Sequence, residues 1–221
     1  MPQNLQIDFV SDVACPWCAI GLHSLEEALR RVQGEVSADI HFQPFELSPD
    51  MPPQGENLDA HIGSKYGASP QQLAASREAV RERAASVGFA FNSSARSHVY
   101  NTFDAHRLLH WAGLQGRQRE LKKALFRANF SDDANVADHA VLAALAAESG
   151  LDTAEALEVL ASGRHAADVR AAEKLWQSRG IQSVPGIVIN GKWLISGGQP
   201  PEVFEQAIRQ IISGQAQEAR A

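Results

Sequence analysis

The apolar residues near the start of the chain follow three successive patterns. They alternate with polar residues over positions 5–10, a period of two that predicts a half-buried strand. From Cys18 onward they recur at spacings of three and four, which predicts a helix over 16–32. Alternation returns over 36–42, after Gly34, so a second strand follows the helix. Strand, helix and strand in this order predict a βαβ unit with parallel strands and a right-handed crossover.

The end of the chain carries a second set of strand patterns and one more helix. Two apolar runs, 186–189 and 192–195, are separated by Asn190-Gly191. Asn-Gly between apolar runs is a strong signal for a two-residue hairpin. A final helix starts near Pro201 and carries apolar residues on one face: Val203, Phe204, Ala207, Ile208 and Ile211. A βαβ unit followed by ββα is the element order of the thioredoxin fold.

The middle of the chain is predicted to be helical. Ser69-Pro70-Gln71-Gln72 has the form of a capping box with proline at the first helical position, and this helix stops at Gly88. A proline-rich loop over 45–55 joins this part to the first βαβ unit, and the polar tail after Ser213 is expected to fray. Further helical stretches are predicted at 97–111, 117–128, 136–148, 154–160 and 166–179.

These patterns predict an α/β protein with a thioredoxin fold (βαβ–ββα) that is interrupted by an all-helical insertion domain. The thioredoxin-like domain takes residues 1–50 and 180–221, and the helical insertion domain takes 51–179. The chain has 221 residues, of which 44% are hydrophobic, so it can bury a sizeable core. Its net charge of −6, without a basic tract, argues against nucleic acid, and no apolar run approaches a membrane span. We therefore expect a monomer or homodimer that binds neither nucleic acid nor membrane.

The chemistry is concentrated in Cys15-Pro16-Trp17-Cys18, which holds the only two cysteines of the chain. The motif follows the first strand and opens the first helix, so Cys15 lies at a helix N-terminus. Unpaired N–H groups and the helix dipole favour a thiolate there. Pro16 suits the first helical position, and Cys18 begins the buried stripe. We predict that Cys15 is the exposed attacking nucleophile and that Cys18 is the shielded resolving thiol.

Two other uses of a cysteine pair are less favoured. A structural disulfide is not expected, because no secretion signal is seen, a cytoplasmic location is expected, and cytosolic thiols stay reduced. A zinc site needs four ligands, and the motif contributes two. His106 and His110, one helical turn apart, are tempting partners, but they lie far outside finger-like spacing. We expect redox chemistry and no metal.

The same residues resemble the DsbA family of thiol–disulfide oxidoreductases. The resemblance rests on Cys-Pro-Trp-Cys after a strand, a helical insert, and Val184-Pro185 before the third strand. Stretches 45–52, 101–109 and 183–186 resemble its FrnE-like branch, which is similar in fold to 2-hydroxychromene-2-carboxylate isomerases and kappa-class glutathione transferases. The resemblance implies that Pro185 is cis and faces Cys15, which leaves the Val184 backbone free to pair with a peptide or glutathione. The implied substrate-binding residues are Pro16, Trp17, Phe45, Asn101, His106, Val184 and Pro185.

The departures from the family pattern also carry information. Trp17 stands where DsbA itself has histidine, so no imidazole within the motif stabilises the Cys15 thiolate, and we expect a weaker oxidant. Trp17 would also form an apolar lip for a substrate. Asn101 and His106 would project into the cleft if the insert covers it, although His106 could equally be a solvated helix residue. Asp12 could accept a proton or cap the turn.

Two enzyme hypotheses follow. In the first, the protein exchanges disulfides with a disulfide-containing protein or a small thiol, with no cofactor beyond glutathione as a candidate co-substrate. In the second, it is a glutathione-dependent isomerase or transferase for a small aromatic or polyketide-like substrate, and Cys15 activates glutathione. The isomerase and transferase relatives carry serine where Cys15 stands, so the retention of both sulfurs favours the first. A non-catalytic binding module would have no reason to hold both. The redox direction stays open.

Overall fold

The computed structural model describes residues 2–52, 54–92 and 97–218, and it has strands at both ends with helices between them. The elements in chain order are β1 (Gln3–Ser11), α1 (Pro16–Arg31), β2 (Val36–Pro44), β3 (Glu56–Asn57), α2 (Leu58–Tyr66), α3 (Pro70–Ser86), β4 (His98–Val99), α4 (Phe103–Leu114), α5 (Gln118–Phe130), α6 (His139–Glu148), α7 (Thr153–Ser162), α8 (Ala166–Ser178), β5 (Gly186–Ile189), β6 (Trp193–Ser196) and α9 (Pro201–Glu218). No helix in these ranges is both long and apolar enough to cross a bilayer.

The main sheet has the strand order β2-β1-β5-β6. Strands β1 and β2 are parallel, with Ile7 opposite Ile40, while β5 is antiparallel to β1 and β6 is antiparallel to β5. The β5–β6 turn contains Asn190 and Gly191, with φ of 52° and 65°. Two left-handed residues are what the predicted two-residue hairpin requires. The thioredoxin fold predicted from the element order is confirmed.

The sheet core lies between the strands and the two helices α1 and α9. Alternation in β1 and the helical stripe of α1 direct their apolar side chains into this core, where full burial of each contributes about 1.5–3 kcal/mol. The residues with 0% exposure here include Leu5, Ile7, Phe9, Cys18, Leu22, Leu25, Ile187, Ile189, Phe204 and Ile208. Cys18 therefore belongs to the stripe, as its spacing predicts.

The helical part packs around its own core but interlocks with the sheet core. Trp111 is 1% exposed within the helical core. Val13, from the loop after β1, also belongs to that core, whereas Phe126 and Phe130 of α5 pack into the sheet core. The domain division at residues 51 and 179 stays a prediction. The contacts of Val13 and α5 show that the two cores share side chains around the cysteine loop.

The structure differs from the expected helices in two places. α2 was not predicted, although the Asn57 side chain caps it by accepting the N–H groups of Asp59 and Ala60, and Gly67 ends it at φ 65°. Residues 97–102, predicted as helix, are not helical, because β4 pairs there with β3 and α4 begins at Phe103.

Two further predicted features concern the loop at 45–55 and the end of the chain. The backbone of α9 remains helical to Glu218, beyond the point where fraying was expected. Glutamine, alanine and glutamate, which make up most of this segment, are good helix formers.

Pro53, in the predicted proline-rich loop, lies outside the described residues. The capping box of α3 is present as predicted, with Ser69 and Gln72 exchanging hydrogen bonds.

Two glycines allow other backbone segments to approach the start of α1. A Cβ on Gly198 would lie 2.7 Å from the Trp17 carbonyl oxygen. A Cβ on Gly21 would lie 3.2 Å from Cγ of Pro185 and 3.3 Å from Cα of Gly198. Both positions therefore hold α1 tightly against the segments that flank β5 and β6.

We expect Gly198→Ala to destabilise the protein by about 1–3 kcal/mol, because an added methyl group meets backbone that cannot move aside cheaply. Gly34→Ala is the matched control, since a Cβ there meets no atom within 4 Å, and it should change stability by less than about 0.5 kcal/mol. Urea unfolding of both variants measures the difference. Equal midpoints for the two variants would contradict the close approach at Gly198.

Candidate active site

Cys15 occupies the N-cap of α1, where the extended chain turns into the helix. Its φ and ψ are −90° and 112°, and Pro16 follows at the first helical position. The Cys15 carbonyl accepts the N–H groups of Cys18 and Ala19 at 3.1 and 3.4 Å. The Cys15 side chain makes no capping hydrogen bond to the helix. Its sulfur therefore lies at the positive end of the helix without being used to cap it.

The prediction that Cys15 is exposed to solvent is wrong. Cys15 is 4% exposed and Cys18 is 0% exposed, and both are free thiols. The reason is that Cys15 packs into the sheet core and its sulfur lies against the Val184 backbone. The Cys15 thiol donates to the Val184 carbonyl at 3.7 Å. Cys15 nevertheless lines a cavity, which does not include Cys18 among its lining residues.

The environment of Cys18 keeps its thiol protonated. Burial raises the pKa of Cys18 well above its usual value, and the hydrogen bond and charge of Cys15 raise it further. The buried Lys122 cation acts in the opposite direction. A protonated Cys18 beneath a more accessible Cys15 is consistent with the predicted difference between the two sulfurs.

The Val184–Pro185 peptide bond is cis, as the resemblance implied. The Pro185 ring packs against α1 at Gly21, and this contact brings Val184 beside Cys15. Within the described residues the Val184 N–H has no hydrogen-bond partner. The Val184 backbone can therefore pair with an extended molecule that enters beside Cys15.

The cavity beside Cys15 has a volume of about 670 Å³, within the range of small-molecule sites. Cys15, Pro16, Trp17 and Val184 form one side of it. Trp17 is 40% exposed, so it can act as the predicted apolar lip. The opposite wall comes mainly from α2 and α3 and is largely apolar: Leu58, Ile62, Tyr66, Leu73 and Val80, with the polar His61, Lys65 and Arg77.

Four predicted substrate-binding residues, Phe45, Asn101, His106 and Pro185, are not among those that line this cavity. The Pro185 ring packs instead against α1 at Gly21. Phe45 packs with Val10, Trp176, Ile181 and Val188 in a separate apolar cluster. The Asn101 amide donates to the Met51 carbonyl at 3.2 Å and accepts the Phe103 N–H at 2.9 Å, so it shapes the turn before α4. His106 is 3% exposed and lines a second cavity instead. It is therefore neither solvated nor directed into the cleft.

The α2 wall, which is the side of the cavity formed by Leu58, Ile62 and Tyr66, is not predicted from the sequence. The sequence nevertheless carries a signal for this helix. Leu58, Ile62 and Tyr66 are four residues apart, which places them on one face of a helix. Asn57 before them and Gly67 after them are typical start and stop residues. The helix has only nine residues, and its pattern is too short to stand out from a loop.

Asp12 is 1% exposed, lines the cavity beside Cys15 and accepts two backbone hydrogen bonds. They come from the Leu47 N–H at 2.7 Å and the Ala14 N–H at 3.2 Å, and His106 Nε2 lies 3.4 Å from Asp12 Oδ1. Burial alone would raise the pKa of Asp12, but His106 and the Leu47 N–H outweigh it, and the pKa is lowered. Asp12 therefore remains a carboxylate, and its hydrogen bonds are those of a turn cap.

Helix α5 brings a cation to the rear of the cysteine loop, a feature the sequence did not reveal. Lys122 is 0% exposed, and its Nζ lies 4.7 Å from the centroid of the Phe126 ring. Burial lowers the pKa of Lys122 to about 8, and the charges of Cys18, Asp12 and Cys15 oppose that shift. Asn129, two turns further along α5, donates to the Val13 carbonyl at 3.1 Å and holds the loop in place.

Several solved structures are similar in fold to this chain. A probable DsbA oxidoreductase of Streptomyces coelicolor is 36% identical, with a TM-score of 0.87 over 93% of this chain and 89% of that chain. A 2-hydroxychromene-2-carboxylate isomerase is 15% identical, with a TM-score of 0.73 over 96% of this chain and 98% of that chain. The cytosolic disulfide reductase DsbM of Pseudomonas aeruginosa, solved with glutathione, is 19% identical, with a TM-score of 0.63 over 94% and 99%.

The two more distant structures share the fold, and the first also shares enough sequence to indicate a common family. The family described as the DSBA-like thioredoxin domain matches residues 6–209, which include both cysteines and the cis proline. The N-cap cysteine, the buried second cysteine and the adjoining Val184–Pro185 bond all lie within that match. The chain belongs to the DSBA-like thioredoxin family.

Proposed function

We propose that this protein is a thiol–disulfide oxidoreductase whose redox couple is Cys15 and Cys18. The observation that carries the proposal is the arrangement of the two sulfurs. Cys15 lines a cavity at the N-terminus of α1, and Cys18 is fully buried one turn behind it. Disulfide exchange requires one sulfur that meets the substrate and a second that can reach only the first.

In the first step the Cys15 thiolate attacks one sulfur of a substrate disulfide. The S–S bond of the substrate breaks, its other sulfur leaves as a thiolate, and a mixed disulfide joins the substrate to Cys15. The helix N-terminus favours the attacking thiolate. The Val184 N–H and carbonyl lie beside Cys15 and can align an extended substrate by backbone pairing.

In the second step Cys18 loses its proton and attacks the Cys15 sulfur. This closes a Cys15–Cys18 disulfide and releases the substrate sulfur as a thiol, so the substrate gains two electrons and the protein loses two. Burial opposes ionisation of Cys18, and the Lys122 cation favours it. The same steps in reverse would oxidise a dithiol, and the reduction potential of the couple decides the direction.

The cavity supports a small thiol such as glutathione as substrate or co-substrate. Arg77 is paired with Asp59, whereas the contacts of the Lys65 ammonium are the Leu47 carbonyl, the Ser48 hydroxyl and the Tyr66 ring, all of them neutral. Lys65 is solvent-exposed at the wall of the cavity, and its ammonium has no carboxylate partner among the described residues, so it can pair with a carboxylate of a ligand. DsbM, which was solved with glutathione, is described as a cytosolic reductase, and we extend a cytoplasmic location to this protein within the proposal.

A glutathione-dependent isomerase is the second candidate. The observation that favours it is the similarity in fold to 2-hydroxychromene-2-carboxylate isomerase, together with a largely apolar cavity of small-molecule size. In such an enzyme Cys15 would activate glutathione, and Cys18 would have no chemical step to perform. The two candidates therefore differ in what they require of Cys18.

We expect Cys18→Ser to accumulate a stable mixed disulfide with a disulfide substrate, because no thiol remains to resolve it. Turnover should fall at least about 100-fold, while the first attack by Cys15 survives. Cys15→Ser is the matched variant, and it should form no adduct and show no exchange. Mass spectrometry under non-reducing conditions detects the adduct. A Cys18→Ser protein that turns over disulfides normally would exclude the exchange mechanism and favour the isomerase.

We also expect an alkylating reagent to modify Cys15 well before Cys18 in the reduced protein. Cys15 lines the cavity, whereas burial keeps Cys18 inaccessible and raises its pKa. Peptide mass spectrometry over a time course of iodoacetamide treatment measures the two rates separately. Equal rates, or faster labelling of Cys18, would exclude the assigned roles. Unfolding in urea should make the two rates similar and serves as the control.

We expect Lys122→Met to stabilise the protein at pH 7 by about 3 kcal/mol. The folded pKa of Lys122 is about 8, and the unfolded value is about 10.4, with about 1.4 kcal/mol per unit. Below pH 8 the folded state must hold a buried cation, which costs stability. As pH rises from about 8 to about 10.4 only the unfolded state still takes up the proton, so the wild-type protein gains stability relative to the variant.

Urea unfolding of both proteins at several pH values tests this expectation. The advantage of Lys122→Met should shrink steadily between pH 8 and pH 10.4. Lys123→Met, one residue away on α5, is the control, because Lys123 is exposed and pairs with Glu26. That change should alter stability by less than about 1 kcal/mol. A variant less stable than wild type at pH 7, with no pH-dependent difference, would mean that Lys122 is not a buried cation.

A further inference from the structure

Two histidines and an aspartate meet where α4 packs against the start of α8. His110 lies on α4, His165 is the residue before α8, and Asp168 is in the first turn of α8. One ligand atom from each lies within 4.8 Å of the other two. His165 Nδ1 is 3.1 Å from Asp168 Oδ2, and His110 Nε2 is 3.8 Å from the same oxygen. The cluster is remote in sequence from the cysteine motif.

The backbone that carries His165 is anchored to α4. The guanidinium of Arg107, one turn before His110, is buried and donates to the Arg164 carbonyl at 2.8 Å and to the Leu160 carbonyl at 3.3 Å. His165 has a φ of 64°, in the left-handed region that non-glycine residues rarely adopt. Its side chain does not cap α8. The surrounding contacts therefore hold the His165 imidazole in a fixed position toward His110.

The His165 ring has an unused polar atom in this cluster. Its Nε2 is buried and has no hydrogen-bond partner among the described residues, an arrangement that costs free energy in a folded protein. The rings of His110 and His165 are 4.9 Å apart between centroids. An imidazole can bind a metal ion through either ring nitrogen, and its neutral form does so.

We propose that His110, His165 and Asp168 bind a divalent transition-metal ion such as Zn²⁺. Two imidazoles and one carboxylate are ligands that zinc accepts, usually in a tetrahedral arrangement. Tetrahedral bonds of about 2.0–2.1 Å place ligand atoms about 3.4 Å apart, so modest side-chain rotation closes the cluster from its present 4.8 Å span. A water molecule completes the fourth position. It can arrive through the second cavity, of about 530 Å³, which His110 also lines.

Such an ion would tie α4 to α8, the helix that precedes the segment with Val184 and Pro185. The site does not use the cysteines, so it is separate from the cysteine-based zinc site that the sequence disfavours. Metal binding only to the folded state would stabilise the protein by mass action. The stability of the packing between α4 and α8 would therefore depend on the metal ion. The chemistry of the two cysteines would not require it.

The test is titration of Zn²⁺ into the full chain carrying Cys15→Ser and Cys18→Ser, which removes the two thiols as competing ligands. We expect one Zn²⁺ per chain by calorimetry and a higher melting temperature with Zn²⁺. His110→Ala and His165→Asn should each weaken binding by at least about tenfold. Asparagine is chosen at 165 because it tolerates the left-handed conformation, so the variant should fold.

His139→Ala is the matched control. His139 is also partly exposed and pairs with a carboxylate, that of Asp104 at 2.7 Å. Among the described residues, however, no second histidine joins this pair to make a group of three candidate ligands. Binding should be unchanged in this variant. The proposal is overturned if Zn²⁺ does not bind saturably to the thiol-free protein. It is also overturned if either His110→Ala or His165→Asn binds as tightly as the parent, or if His139→Ala loses binding.

Discussion

The site depends on the close packing of backbone around the first turn of α1. Gly198 lies against the Trp17 carbonyl, and Pro185 lies against Gly21. Because no side chain separates these segments, the Val184 carbonyl is held 3.7 Å from the Cys15 sulfur. The sheet order brings the two segments together, since β1, which leads into Cys15, pairs directly with β5, which follows Pro185. This contact sets which backbone groups a molecule bound at Cys15 would meet.

The second constraint is electrostatic. Asp12 and Lys122 are charged groups with almost no exposed surface, and buried charges are costly unless other groups compensate them. Asp12 has two backbone N–H donors and His106 beside it. Lys122 lies against aromatic rings and within the field of the cysteines and Asp12. Under the proposed exchange mechanism a sulfur changes its charge during each cycle, and of these two groups only the Lys122 cation is opposite in sign to a thiolate and would stabilise it.

The sequence predicts the fold and the cysteine pair well because both depend on local patterns. Period-two and period-3.6 spacing, proline after Cys15 and Asn190-Gly191 each act within a few residues. The low exposure of Cys15 depends instead on its contact with Val184, which is 169 residues away along the chain. The α2 pattern is too short to recognise as a helix. The positions of Phe45, Asn101 and His106 relative to the cavity, and the arrival of Lys122 behind Cys18, depend on how distant segments pack. No local spacing encodes those contacts.

The α2 wall has an evolutionary consequence. Its residues come from a short capped helix and the neighbouring α3, outside the main sheet, while the cysteines and cis proline are held by β1, β5 and α1. Substitutions at Leu58, Ile62 or Tyr66 can therefore change which molecules fit beside Cys15 without disturbing the sulfur geometry. Under the proposed function, the part of substrate recognition that α2 and α3 contribute would be separable from the sulfur chemistry. A lineage with this architecture could then vary that wall of the cavity while the cysteine pair stays constant.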